Sequence, residues 1–221
     1  MVKTVVSNLS ILALSLINFM GITQQLTIAE KKNPPNTSWF NISRLLFTKK
    51  PPVSPRKGGS RPTEIICMIS PDAPKTTRKI WSDRPLFIWQ GNVREVTVKP
   101  VNKNQVLWSE PVKDTQQIIY NGEPLKPGQS YKWEVNSNRF ITFQIIDTQQ
   151  RDRITTQLQT IEAQLQKQGA NQEAIALAKA NYFAEYQLWS DVLQQIYSVN
   201  TPSAELNNLR QQITQNLCKD Q

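Results

Sequence analysis

The stretch that decides the fold is Leu125-Lys126-Pro127-Gly128-Gln129-Ser130-Tyr131-Lys132-Trp133. Pro127-Gly128 predicts a tight turn, because proline fixes one backbone angle and glycine accepts conformations that other residues avoid. Tyr131, Trp133 and Val135 then occupy alternate positions, which predicts a β-strand with one apolar face. A turn that leads directly into such a strand indicates a β-sheet at this point of the chain.

The same pattern extends on both sides, over residues 63–147, as short β-branched and aromatic runs separated by turn signals. This spacing is typical of a β-sandwich. The predicted strands span residues 63–69, 85–90, 94–101, 105–110, 116–120, 130–136 and 140–146. We expect their alternating bulky side chains to form the interior, because large aromatic residues are much more often buried than exposed.

The motif Leu125-x-Pro127-Gly128-x-x-Tyr131 resembles the tyrosine corner of fibronectin type III domains. The resemblance implies an antiparallel, immunoglobulin-like or fibronectin III-like sandwich. It further implies that the Tyr131 hydroxyl bonds to the backbone of the preceding loop and that Leu125 packs against the ring. These four residues are therefore expected to have a structural role.

Residues 148–218 change to helical periodicity. An apolar stripe from Ile154 to Leu165 predicts a first helix, which Gly169 ends. The later helices are predicted to begin after a cap at Asn171, to span residues 188–199, and to begin at Thr201-Pro202. The alanine-rich second helix and the tryptophan-bearing third resemble a tetratricopeptide-like hairpin. The predicted fold class is thus α+β, with a sandwich followed by a segment of about four helices.

The N-terminus resembles a targeting segment. Lys3 precedes an apolar run over residues 9–22, and no charge follows before Glu30. The run is shorter than the roughly 20 apolar residues of a membrane span. It predicts a signal peptide over residues 1–29 with cleavage near Ala29, and hence a periplasmic or secreted protein. An uncleaved anchor and a buried N-terminal helix are the alternatives.

Residues 30–62 are predicted to be a basic, proline-rich linker. Residues 30–65 carry eight Lys or Arg against Glu30 and Glu64, which is most of the net charge of +9. Charge keeps such a spacer extended, with peripheral contact to an anionic membrane as the alternative. Nucleic acid is not an expected partner, because this charge is not on a folded face. The apolar segment 38–47 either packs on its own domain or forms an interfacial or partner-docking helix.

The two cysteines are Cys67 and Cys218. An oxidising compartment favours a disulfide between them. Closing so long a loop stabilises a fold by about 4 to 5 kcal/mol when only chain entropy is considered. Two unpaired thiols are the alternative, because a sequence does not give the distance between them.

The chain contains no histidine. Ser-His-Asp and Cys-His catalysis and the ordinary zinc sites are therefore excluded. Paired carboxylates remain as the open catalytic alternative, either Asp72 with Asp83 or Glu123 with Glu134. They lie among prolines and basic residues, which is typical of a solvated surface. We predict no catalytic, cofactor-binding or metal-binding residue.

Four landmarks in order, residues 56–61, 82–89, 125–133 and 182–193, resemble the cyanobacterial domain-of-unknown-function family 928. The resemblance covers roughly residues 56–217 and implies an exported protein that ends in a helical hairpin. Tyr186-Gln187 departs from it, since the family tends to have Asn-Gly there. The resemblance implies an architecture and no biochemical activity.

These patterns favour a non-catalytic extracytoplasmic binding or scaffold protein with a protein or envelope-polymer partner. An envelope polysaccharide-binding accessory protein is one alternative, and a carboxylate-dependent hydrolase is another. A row of exposed aromatic rings that includes Trp81 or Trp108 would favour the polysaccharide-binding function. Two carboxylates that converge in a cleft would favour the hydrolase.

Overall fold

The computed structural model describes residues 38–47, 66–72, 78–103, 105–137 and 139–218. All of these residues belong to one compact unit, Pro35–Gln221. The predicted signal peptide over 1–29, and most of the predicted linker over 30–62, lie outside the described residues. No described helix has both the length and the apolar content to span a bilayer.

The described residues form a mixed α+β fold, which confirms the predicted class. In chain order the elements are α1 (Trp39–Phe47), β1 (Cys67–Ser70), β2 (Lys79–Ile80), β3 (Leu86–Gln90), β4 (Glu95–Pro100), β5 (Trp108–Pro111), β6 (Gln117–Ile119), β7 (Ser130–Val135), β8 (Arg139–Ile145), α2 (Thr148–Lys167), α3 (Gln172–Glu185), α4 (Trp189–Ser198) and α5 (Ala204–Leu217).

The strands form two sheets that pack on each other. One has the order β1-β3-β6 and the other β2-β8-β7-β4-β5. Neighbours are antiparallel except β2 and β8, which are parallel. Side chains of β7 alternate between buried and half-buried, as the sequence predicts. Between the sheets, the Phe87 ring stacks on the Trp133 ring with 4.9 Å between centroids.

Strand β3 is buried on both faces from Leu86 to Trp89. Phe87 and Trp89 contact the second sheet. Leu86 and Ile88 belong to the apolar cluster that the helices form. The molecule therefore has three layers, two of sheet and one of helix. Both regions that were predicted as domains, residues 63–147 and residues 148–218, contribute side chains to the apolar cluster of the helices.

Helix α1 lies between the two proline-rich tracts of the predicted linker, in the apolar segment 38–47. Trp39, Ile42 and Leu46 are spaced three and four residues apart and are at most 1% exposed. Their face packs into the helical cluster. Of the two interpretations of this segment, the structure agrees with packing on its own domain. The three apolar side chains on one face of the helix are buried against the other helices.

The helix caps agree with the sequence at two positions and differ at one. Asn171 caps α3 by accepting from a first-turn N–H at 2.8 Å. Gly169 ends α2 with a φ of +73°. The predicted start at Thr201-Pro202 is wrong, because Ser203 is the N-cap of α5. Its hydroxyl accepts from a first-turn N–H at 3.2 Å, so the proline precedes the cap.

Glu173 joins three helices. Its Oε1 accepts from the Trp39 indole at 2.9 Å and from the Ser203 hydroxyl at 2.6 Å. Its Oε2 accepts from the Ser203 N–H at 2.7 Å, while Glu205 accepts from the Phe40 N–H at 2.8 Å. Partial burial alone would raise the pKa of the Glu173 carboxyl, but these hydrogen bonds bring that pKa below its usual value. Charge-assisted bonds of this kind fix α1 against α3 and α5.

The structure joins Cys67 of β1 to Cys218, just after α5, by a disulfide. The two residues are 151 positions apart and belong to or pack on the helical cluster. The bond therefore ties an edge strand of the first sheet to the end of the last helix.

Removing this bond is expected to destabilise the fold. The double substitution Cys67→Ser and Cys218→Ser should lower the free energy of unfolding by up to about 5 kcal/mol, because the unfolded chain regains the entropy of a very long loop. Urea denaturation of the oxidised wild type, the reduced wild type and the double variant measures the effect. Equal midpoints for the oxidised and reduced wild type would contradict it.

Candidate functional site

Two tyrosines line an open groove between α2 and α3. Tyr182 and Tyr186 lie one helical turn apart at the end of α3, the spacing at which side chains of a helix meet. Their ring centroids are 4.9 Å apart and the rings are tilted by 43°. Tyr186 is 54% exposed, and Tyr182 is half-buried. Burial and a hydrogen bond with Tyr186 raise the pKa of Tyr182 to about 12, so its hydroxyl is protonated at neutral pH.

We call this hollow the tyrosine groove. It has a volume of about 560 Å³, and its chemistry comes from Gln150, Asp152, Arg153, Gln157, Tyr182 and Tyr186. A second hollow of about 250 Å³ shares Gln150 and Tyr186 with it and extends towards Lys79 and Glu185. The two hollows therefore adjoin at Gln150 and Tyr186.

The polar walls are mixed and balanced in charge. Asp152 and Arg153 line the tyrosine groove, and Glu185 and Lys79 line the second hollow. Within the described part of the chain, the side-chain amides of Gln150 and Gln157 have no hydrogen-bond partner. Each amide can both donate and accept. The site thus combines an aromatic face with two-way hydrogen-bonding groups.

The chain turns sharply just after Tyr186. The Leu188 N–H donates to the Phe183 carbonyl at 3.0 Å. The Gln187 N–H donates to the Ala184 carbonyl at 3.1 Å. This is the Schellman pattern that also ends α2 at Gly169, but here a glutamine has the left-handed φ of +59°. The turn leaves the preceding tyrosine at the surface while Phe183 is fully buried.

A buried carboxylate of α4 holds the loop between β2 and β3. Asp191 is 2% exposed. Its two oxygens accept from the N–H groups of Trp81 at 2.8 Å and Ser82 at 2.9 Å. Burial raises the pKa of Asp191 to about 7, although the backbone hydrogen bonds and Arg151 act in the opposite direction. Both oxygens are engaged by backbone, so this carboxylate anchors the loop.

Trp81 packs within the fold. Its indole N–H donates to Thr155 at 3.1 Å. Its ring contacts Phe183, with 5.5 Å between centroids, and lies under the Arg151 guanidinium. The same arginine donates to the Trp81 carbonyl at 3.1 Å. Trp81 therefore connects α2 and α3, and its ring is not available as an exposed surface on which a sugar could stack.

Trp108 is also buried, at 9% exposed, and its indole N–H donates to Asn121. The exposed ring that lines a hollow is instead Tyr186, which our sequence reasoning missed. The signal was present as the Tyr182–Tyr186 spacing in a predicted helix. What the sequence lacked was the neighbouring wall, which comes from α2.

The carboxylates considered for catalysis are engaged separately. No hydrogen bond or ion pair between described residues joins Asp72 to Asp83 or Glu123 to Glu134. Asp72 pairs with Arg78 at 2.6 Å and Asp83 with Arg151 at 2.8 Å, while Glu134 pairs with Lys99 at 2.6 Å and with Lys132 at 4.0 Å. Over the described ranges, no cluster of three or more Cys, Asp or Glu side chains is placed to hold a metal ion.

The residues of the Leu-x-Pro-Gly-x-x-Tyr motif lie at the turn before β7. The Tyr131 hydroxyl accepts from the Lys126 N–H at 2.8 Å. Leu125 and Tyr131 are each 2% exposed. Gly128 has a φ of +75°, a conformation that favours glycine. These side chains stabilise the loop and have no place in the tyrosine groove.

Comparison of the chain with protein-family models, curated proteins and solved structures finds no match in any of the three. The assignment of the candidate site therefore rests on the geometry of the groove.

The stability contributed at Asp191 is expected to depend on pH. The folded pKa of about 7 is above the ordinary value of 3.8. This contribution is therefore complete below about pH 4 and is lost as the pH rises through 7, at about 1.4 kcal/mol for each pH unit between the two pKa values. Urea denaturation from pH 4 to 8 should show this decline in the wild type and not in Asp191→Asn.

The exposed Asp152→Asn variant is the control and should keep the wild-type profile. A constant difference in unfolding free energy between wild type and Asp191→Asn at every pH would contradict the assignment.

Gln187→Gly should stabilise the protein by about 1 kcal/mol, because glycine adopts the left-handed conformation without the steric cost that other residues have. Gly169→Ala, at the equivalent position after α2, should destabilise it by a similar amount. Thermal and urea unfolding of both variants measure the pair. A loss of stability in Gln187→Gly would contradict the account of this turn.

Proposed function

We propose that this protein is a non-catalytic binding or scaffold protein that acts outside the cytoplasm, and that the tyrosine groove is its binding surface. The observation that carries the proposal is the exposed Tyr186 ring beside the amides of Gln150 and Gln157, in a hollow of about 560 Å³. Ligand sites are typically concave, within about 300 to 1,000 Å³, with apolar faces and a few polar groups.

The cysteine pair supports the extracytoplasmic part of the proposal. Disulfides persist in oxidising compartments and are rare in the cytosol. The Cys67–Cys218 bond closes most of the described fold. The signal peptide predicted over residues 1–29 agrees with the same destination, in the periplasm or outside the cell.

A framework with fixed helices supports a binding role. Glu173 fixes α1 and α5 against α3, and α3 carries the two tyrosines. Arg151 of α2 forms an ion pair with Asp83 at 2.8 Å. The two helices that line the groove are therefore held from several sides, and a preorganised surface loses less entropy when a ligand binds.

We propose a finer fold assignment alongside this function. The strand orders β1-β3-β6 and β8-β7-β4-β5, with the Tyr131 hydrogen bond before β7, support a fibronectin III-like sandwich. The contact between α3 and α4 supports a tetratricopeptide-like hairpin. Membership of the cyanobacterial domain-of-unknown-function family 928 is a proposal that depends on the four sequence landmarks.

Photocrosslinking in the native host tests the binding surface. The substitution Tyr186→p-benzoylphenylalanine should give a crosslinked adduct of higher mass after irradiation, because the benzophenone would lie against the bound partner. Phe140 is 59% exposed on β8, and the matched substitution Phe140→p-benzoylphenylalanine should give none. Equal adducts at both positions, or none at 186, would contradict the assigned surface.

Fractionation of the same cells tests the compartment. The protein should be in the periplasmic or secreted fraction, with both cysteines resistant to alkylation until a reductant is added. Recovery of an uncleaved, reduced chain from the cytosol would contradict the extracytoplasmic role.

A further inference from the structure

We propose that the tyrosine groove binds an uncharged glycan that contacts the Tyr186 ring and extends into the second hollow; this inference rests on the proposed binding function of the same groove. The geometry that supports it is the tilted tyrosine pair, the two amides of α2, the balanced charges and the two adjoining hollows. Each of these features matches a property of an uncharged sugar chain.

The aromatic pair matches the shape of a sugar ring. A pyranose has an apolar face of C–H groups and a rim of hydroxyls. The Tyr186 ring is 54% exposed and presents a flat apolar face beside its own hydroxyl, the combination that suits a ligand with one apolar and one polar side. Tyr182, tilted by 43° to it, forms the inner wall. The exposed part of the Tyr186 ring is therefore the surface on which a sugar ring can stack.

The amides match the hydroxyl rim. A sugar hydroxyl donates one hydrogen bond and accepts others, so its best partners also do both. Gln150 and Gln157 have such groups and lie about two turns apart along α2. Asp152 adds an acceptor and Arg153 adds donors at the same wall. A ligand rich in hydroxyls can exchange hydrogen bonds with all four of these side chains.

The charges argue for a neutral ligand. Across both hollows two carboxylates, Asp152 and Glu185, face two cations, Arg153 and Lys79. A site for phosphate, sulfate or uronate needs an excess of positive charge, as electrostatic complementarity requires. Most of the excess charge of this chain lies instead in residues 30–65 of the sequence.

The shape favours a chain of several sugars over a single one or a peptide. Hollows of about 560 and 250 Å³ meet at Tyr186. A peptide that binds by adding a strand needs a long exposed sheet edge. The strand beside the second hollow, β2, has two residues, which is too short to serve.

Titration of the oxidised full chain with defined oligosaccharides tests the inference. The probes are neutral hexasaccharides of glucose, mannose and N-acetylglucosamine, with an acidic galacturonic acid hexamer for comparison, and binding is followed by calorimetry and by amide NMR shifts. At least one neutral probe should bind and shift resonances of the groove. Tyr186→Ala should weaken that binding by about tenfold, while Tyr186→Trp keeps it.

Phe140→Ala removes an equally exposed ring outside the groove and should leave the affinity unchanged. Failure of every neutral probe, tighter binding of the acidic hexamer, or an unaffected Tyr186→Ala would overturn the glycan assignment. If the benzophenone at position 186 still captures a partner, the binding function stands and only the ligand class is wrong. A captured peptide would identify a protein partner and would also overturn the inference.

Discussion

Burial of β3 on both faces is the constraint on which the rest of the structure depends. Phe87 and Trp89 pack into the sandwich, and Leu86 and Ile88 pack into the helical cluster. Burying a large apolar side chain stabilises a fold by about 1.5 to 3 kcal/mol. Separation of the helices from the sheets would expose a row of such side chains on β3 and is therefore unfavourable. The helices and the sheets therefore act as one body.

The polar contacts of the interior concentrate at the same boundary, where the helices contact the first sheet. Asp191 accepts two backbone N–H bonds from the loop that precedes β3. The hydroxyls of Ser70 and Ser190 meet at 2.9 Å in a buried position. An unpaired polar group there would cost about 1 to 3 kcal/mol, so these bonds specify how the helices sit on the sheet as well as stabilising them.

The sequence predicted what local patterns determine. The alternating side chains of β7, the cap at Asn171 and the end of α2 at Gly169 follow from rules that act within a few residues. Helix α1 and strand β2 depend on partners far along the chain: Trp39 bonds to Glu173, and Lys79–Ile80 pairs with the end of β8. The tyrosine groove was missed for the same reason, since α2 and α3 each supply one wall. Neither wall is recognisable as a site by itself.

The groove and the most basic part of the sequence differ in their charge. The lining of the groove includes one carboxylate, Asp152, and one guanidinium, Arg153, beside neutral amides and hydroxyls, so its charges balance. Residues 30–65 hold most of the net charge of +9, and attraction between exposed charges is screened beyond about 10 Å at 0.1 M salt. The proposed function thus assigns attraction to an anionic surface to one segment and recognition of a neutral ligand to another. Neither proposed interaction needs the charge pattern of the other.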